Sequence, residues 1–129
     1  MKTKPSIYLR WQGYYDYTKE NVEKYVLKEP RLIGVYKIAE LQTFGNLVPF
    51  YVGEDENLYQ ALIAYFDEID INECIKNELD EKICCFKFAH LLDKQERENV
   101  VYTLCEHYRP LCNTQQKTWK DSLVNVNFH

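Results

Sequence analysis

A chain of 129 residues supports one hydrophobic core, and a second independent domain within it would be undersized. Eleven tyrosines against four glycines and four prolines exclude low-complexity and disordered classes. The net charge of -4 is modest, no run of about 18 apolar residues occurs, and residues 1–12 lack the apolar stretch of a signal peptide, so a soluble, cytoplasmic protein without membrane contact is expected.

In chain order, residues 6–11 (SIYLRW) alternate like a strand, and the aromatic run 11–15 (WQGYY) reads as a turn. Thr18 is placed to cap a helix over 18–27, with Glu20 complementing its positive end, and that helix must stop before Pro30. Residues 32–38 and 47–52 are apolar runs rich in β-branched and aromatic residues on either side of a Phe44-Gly45-Asn46 turn signal, which predicts a hairpin. Pro49 cannot donate to a ladder, so its strand should lie at an edge or carry a bulge. Asp55 is a candidate cap for a helix over 57–66, where Leu58, Leu62 and Tyr65 or Phe66 recur at helical spacing, and a short helix over 71–79 follows. Residues 83–89 predict a strand, and Asp93 caps a long helix ending before Pro110.

That order predicts an α+β fold, a small mixed and mainly antiparallel sheet flanked by helices, in one domain over 1–129. Residues 32–113 form its expected core, 1–31 an N-terminal strand-helix extension and 114–129 a C-terminal tail. Five cysteines without paired spacing point to reduced thiols acting as small core hydrophobes. Cys105, His107 and Cys112 lack the fourth ligand and regular spacing of a zinc site. Charge is polarised: residues 54–81 hold ten acids and one base, Lys76, whereas the remainder holds 15 bases and ten acids. Helix N-termini favour one or two of those acids, not ten.

Gly34-Val35-Tyr36, a hairpin turn, Tyr51-Val52-Gly53 and a helix starting near Asn57-Leu58 resemble the defining elements of the GIY-YIG nuclease superfamily. The segment from His107 to Asn113, with Pro110 and Asn113 in a Pro-x-x-Asn spacing, is similar to the closing part of that family's domain. The resemblance implies metal-dependent phosphodiester cleavage: two tyrosines beside the attacking water, an arginine on the next helix steadying the phosphate, and a glutamate on a later helix holding a divalent ion. Charge building on phosphoryl oxygens calls for such cations, and a carboxylate suits a hard ion.

Carried over residue by residue, the resemblance places Tyr36, Tyr51, Gly53 and Asn113 in matching positions, and Ala61 where the arginine belongs. The glutamate window holds Val101, Tyr102 and Thr103, and Glu98 lies one helical turn, about 5 Å, earlier. The site is therefore expected to be vestigial, with Tyr36 and Tyr51 as sheet residues packing a half-buried face. No cofactor is expected, and magnesium or manganese enters only if the chain is a divergent nuclease using Tyr36, Tyr51 and Glu98. The expected role is that of a binding or interaction module. Its acidic segment, Glu54, Asp55, Glu56, Glu68, Asp70 and Glu73, would contact a basic protein surface or act as a decoy on a basic DNA-handling protein, while that face repels nucleic acid.

Overall fold

The computed structural model describes residues 4–67, 72–113 and 124–129. Among them, strands β2 (Gln12–Asp16), β3 (Gly34–Leu41), β4 (Leu47–Asp55) and β5 (Cys84–His90) form an antiparallel sheet in the order β2-β5-β3-β4. Strand β1 (Ser6–Ile7) lies outside it and pairs in parallel with β6 (Asn125–Val126). Helices α1 (Lys19–Tyr25), α2 (Leu58–Asp67) and α3 (Glu73–Glu81) follow β2 and β4, and α4 (Lys94–Tyr108) follows β5. This is the α+β architecture expected from the element order.

The hairpin forms as predicted, with Tyr36 opposite Gly53 and Ile38 opposite Tyr51. Its register shifts between Ile38 and Ala39, where Pro49 lies opposite, and β4 is an edge strand, so the proline's missing donor is accommodated in both expected ways. Thr18 and Asp93 accept hydrogen bonds from Asn21 N (3.1 Å) and Glu96 N (2.9 Å), as their cap positions require. The cap of α2 is Asn57 rather than Asp55: Asn57 Oδ1 accepts from Gln60 N at 3.1 Å. Asp55 instead ends β4 and accepts from Asn57 N at 2.8 Å, a local turn just before the helix.

Two differences concern the N-terminal third. The strand expected over 6–11 shrinks to Ser6–Ile7, because Leu9 N and O are bonded by the side chain of Asn127 (2.7 and 2.8 Å) rather than by a strand. The aromatic run expected to turn is strand β2, in which Gly13 adopts φ +118 beside a register shift, a left-handed conformation that lets the ribbon bend while staying paired to β5.

Both sheet faces are covered. Tyr36, Ile38, Phe50, Phe86 and Phe88 pack with Leu58, Leu62 and Ile75 on the side of α2 and α3. Val35, Val52 and Ala89 pack with Val100, Leu104 and Cys105 of α4, joined by Leu9 and Val124 from the two ends of the chain. Residues 34–39 are consequently all buried, which explains why the run reads as continuously apolar apart from Lys37.

Candidate functional site

The site grows out of the hairpin. Tyr36 and Tyr51 lie on neighbouring strands with ring centroids 6.0 Å apart, as the family resemblance requires. The ring of Tyr36 lies across Gly53, where an added Cβ would sit 2.7 Å from Cζ and from the hydroxyl. Gly53 is thus a glycine because a ring passes over it. Burial pushes the Tyr36 phenol well above its ordinary value, with the neighbouring Tyr51 adding to the rise. Burial also raises Tyr51, partly offset by a hydrogen bond from Tyr36.

Beside this pair is a cleft of about 230 Å³ lined by Tyr51, Gly53, Glu54, Asn72, Val101 and Asn113, together with Val52 and Cys112. Tyr36 does not line it; of the two tyrosines, only Tyr51 reaches the opening. Asn113 closes the cleft by acting as a strand mate for the free edge of β4. Its Oδ1 accepts from Val52 N at 2.9 Å and its Nδ2 donates to Val52 O at 2.8 Å, while Cys112 N donates to Phe50 O at 2.8 Å. The closing segment therefore satisfies backbone groups that an edge strand leaves open.

The remaining carried-over positions fall as follows. Ala61 packs against the core beside Tyr65, and no basic residue stands on α2. Val101 faces the cleft, and Thr103 is buried, its hydroxyl donating to Asn99 O at 2.9 Å. Glu98 lines an adjoining hollow of about 280 Å³ with Glu54, Val101 and Tyr102.

Glu54 was expected to face a basic partner, and its setting is internal instead. Its Oε2 accepts from Arg97 Nε at 2.7 Å, and Arg97 is almost fully buried, at 2 % exposure against 27 % for Glu54. Arg97 Nη1 also donates to Leu92 O, and Glu56 approaches Nη2 at 4.0 Å. A cation buried to this extent must be paired, which fixes Glu54. Arg97 carried a sequence signal: with Val100 and Leu104 it lies at helical spacing on the stripe of α4 that faces the core. Of the other acids, Asp67 bonds Lys19 at 3.3 Å and Glu78 lies 3.6 Å from Lys82, while Glu73 is exposed in the first turn of α3. Glu68 and Asp70 lie outside the described residues.

The cysteines correct another expectation. Cys74 and Cys112 form a disulfide, with Cα atoms 5.5 Å apart, because α3 and the closing segment, 38 residues apart in sequence, meet beside the cleft. Cys84, Cys85 and Cys105 are free and buried, as expected of core thiols. Among the described residues, no three His, Cys, Asp or Glu side chains gather as metal ligands.

The second buried cation, Lys37, lies on the far face of the sheet. Its Nζ donates to Phe128 O at 2.6 Å and Tyr108 Oη at 3.2 Å, and lies 4.4 Å from the Trp11 ring centroid. Burial, with Lys87 opposite it on β5, lowers its pKa to about 7.

Solved structures of similar architecture match this chain. The GIY-YIG N-terminal endonuclease domain of UvrC from Thermotoga maritima, bound to magnesium as its catalytic divalent cation, is 25% identical over 74% of this chain and 99% of that one, with a TM-score of 0.53. Two variants of the same domain, each with one tyrosine changed to phenylalanine and each bound to its catalytic divalent cation, are 23% identical at the same TM-score of 0.53, covering 99% and 98% of their chains. The fold is GIY-YIG-like. No protein-family model matches the sequence, and no curated protein matches it. No helix among the described residues is long and apolar enough to cross a membrane.

Proposed function

We propose that this domain uses a GIY-YIG-like fold as a binding module and does not cleave phosphodiesters. The observation that carries the reading is the Arg97–Glu54 pair: among the described residues, the one carboxylate lining the cleft is committed to a buried guanidinium. The donors around the cleft do not suit a hard divalent cation, since Asn113 spends its amide on Val52 and Val101 offers no oxygen. Ala61 gives nothing to a phosphate. Both tyrosines, raised by burial, stay protonated near neutral pH, so neither supplies a phenolate base.

The partner we favour is a basic protein surface. Glu73 is exposed on the side of the acidic segment, and Glu56 stays exposed although it approaches Arg97 at 4.0 Å, so both can meet it, whereas Glu54 and Asp55 serve internal contacts. Steering by this surface should weaken as salt shortens the Debye length to about 10 Å at 0.1 M.

Incubation of the purified protein with plasmid, single-stranded DNA and RNA in magnesium or manganese should leave all three intact. Divalent-dependent cleavage that disappears in Tyr36→Phe or Glu98→Ala would establish the nuclease alternative. That alternative draws its support from Glu98, which shares the adjoining hollow with Glu54.

A further inference from the structure

The disulfide sits where the cleft is built. On one side, Asn72 lines the cleft and caps α3 by accepting from Cys74 N at 2.9 Å and Ile75 N at 3.3 Å. On the other, Cys112 and Asn113 line it and bond Phe50 and Val52 of β4. The covalent bond between Cys74 and Cys112 joins these two walls. Helix α3 has few other anchors: Ile75 is its one fully buried side chain, Leu79 and Cys74 are only partly buried against the same core, and its exposed acids add no apolar contact. The closing segment, by contrast, keeps three hydrogen bonds to β4 whatever the state of the sulfurs.

We propose that Cys74 and Cys112 form a thiol–disulfide switch that fastens α3 to the closing segment across the cleft and releases it on reduction. The reductant is a dithiol. One of its thiolates attacks Sγ of Cys74, which is half-buried, and the bond to Cys112, only 2 % exposed, breaks with Cys112 leaving as a thiolate that takes up a proton. The second thiol of the reductant then displaces Cys74, which also ends as a thiol. The reductant departs as its own disulfide, two electrons poorer, and a small-molecule disulfide such as oxidised glutathione reverses both steps. The three remaining thiols do not compete: burial raises Cys85 and pushes Cys84 and Cys105 up to about 12, which keeps them from forming thiolates. The switch stands on the position of the two sulfurs and holds whether or not the cleft binds a partner.

The test uses the full chain purified without reductant. Thiol titration after denaturation should find three free thiols before reduction and five after it. Hydrogen exchange of the native protein should show the amides of α3 exchanging at least about tenfold faster after treatment with dithiothreitol, with β3 and β5 unchanged, and oxidised glutathione should restore protection. Cys74→Ser and Cys112→Ser should each exchange like the reduced protein and ignore the reductant. Five thiols in the unreduced chain, or α3 protection unaltered by reduction, would overturn the proposal. Loss of protection throughout the sheet would do the same, since it would make the bond a global staple rather than a local switch.

Discussion

Tyr36 and Lys37 are consecutive residues of β3, buried on opposite faces of the same sheet by different means. On one face a phenol ring lies over a glycine two strand positions from Tyr51, so the close contacts that set this pair are made within the hairpin. On the other, an ammonium is held by Trp11, Tyr108 and the carbonyl of Phe128, three places brought together only by the folded chain. The first arrangement is local and announces itself as a motif. The second is assembled from the two ends of the chain, with Asn127 bonding Leu9 across 118 positions and His107 stacking on Phe128 at 3.9 Å. Among the described residues both faces of the sheet are covered, one by α2 and α3 and the other by α4.

The comparison can be broken at four places. The largest effect is expected from Arg97→Ala, which strands Glu54 beside the cleft and empties a buried position: about 3 kcal/mol of stability should be lost in urea unfolding. Adding Glu54→Gln should return part of that loss, and strict additivity of the two changes would show that the pair is not coupled.

Next comes the pH dependence set by Lys37. Its folded value of about 7 lies below the ordinary 10.5, so between these the unfolded chain holds a proton that the folded chain has released, and stability rises as pH increases from 7. Lys87, also lowered by burial, acts in the same sense, whereas Cys84 and Cys105, raised to about 12 from 9.0, reverse it above pH 9. The wild type should therefore gain about 2 kcal/mol from pH 7 to 9, and Lys37→Met should flatten that rise. A wild-type profile that falls over this interval would remove the far-face account.

On the near face, Gly53→Ala forces a methyl against the Tyr36 ring and should cost about 2 kcal/mol. Combining it with Tyr36→Leu should relieve much of the strain. The smallest effect is that of Asn113→Ala, which removes two hydrogen bonds to Val52 at the sheet edge and should cost about 1 kcal/mol by the same measurement.

Much of the fold was legible because its signals are local. Thr18 and Asp93 cap their helices, Pro49 marks an edge strand with a bulge, and the hairpin brings Tyr36 and Tyr51 together. Asp55 misled because two Asx residues two positions apart, Asp55 and Asn57, both bond backbone amides, and sequence alone does not say which one starts the helix. The strand expected over 6–11 failed because its hydrogen bonds go to Asn127, far along the chain. Of the site, Tyr51, Gly53 and Asn113 were readable, but the Arg97–Glu54 pair and the Cys74–Cys112 bond depend on how α3, α4 and the closing segment pack, and the cysteines carry no spacing that announces their union.

The central proposal is that the cleft beside Tyr51 does not hold a divalent metal, and titration of manganese followed by paramagnetic broadening of backbone amide resonances tests it directly. The account predicts no saturable broadening at Tyr51, Gly53 or Asn113 up to millimolar metal. Saturable broadening confined to those amides and abolished by Glu98→Ala would contradict it and restore the fold to the working nucleases it resembles.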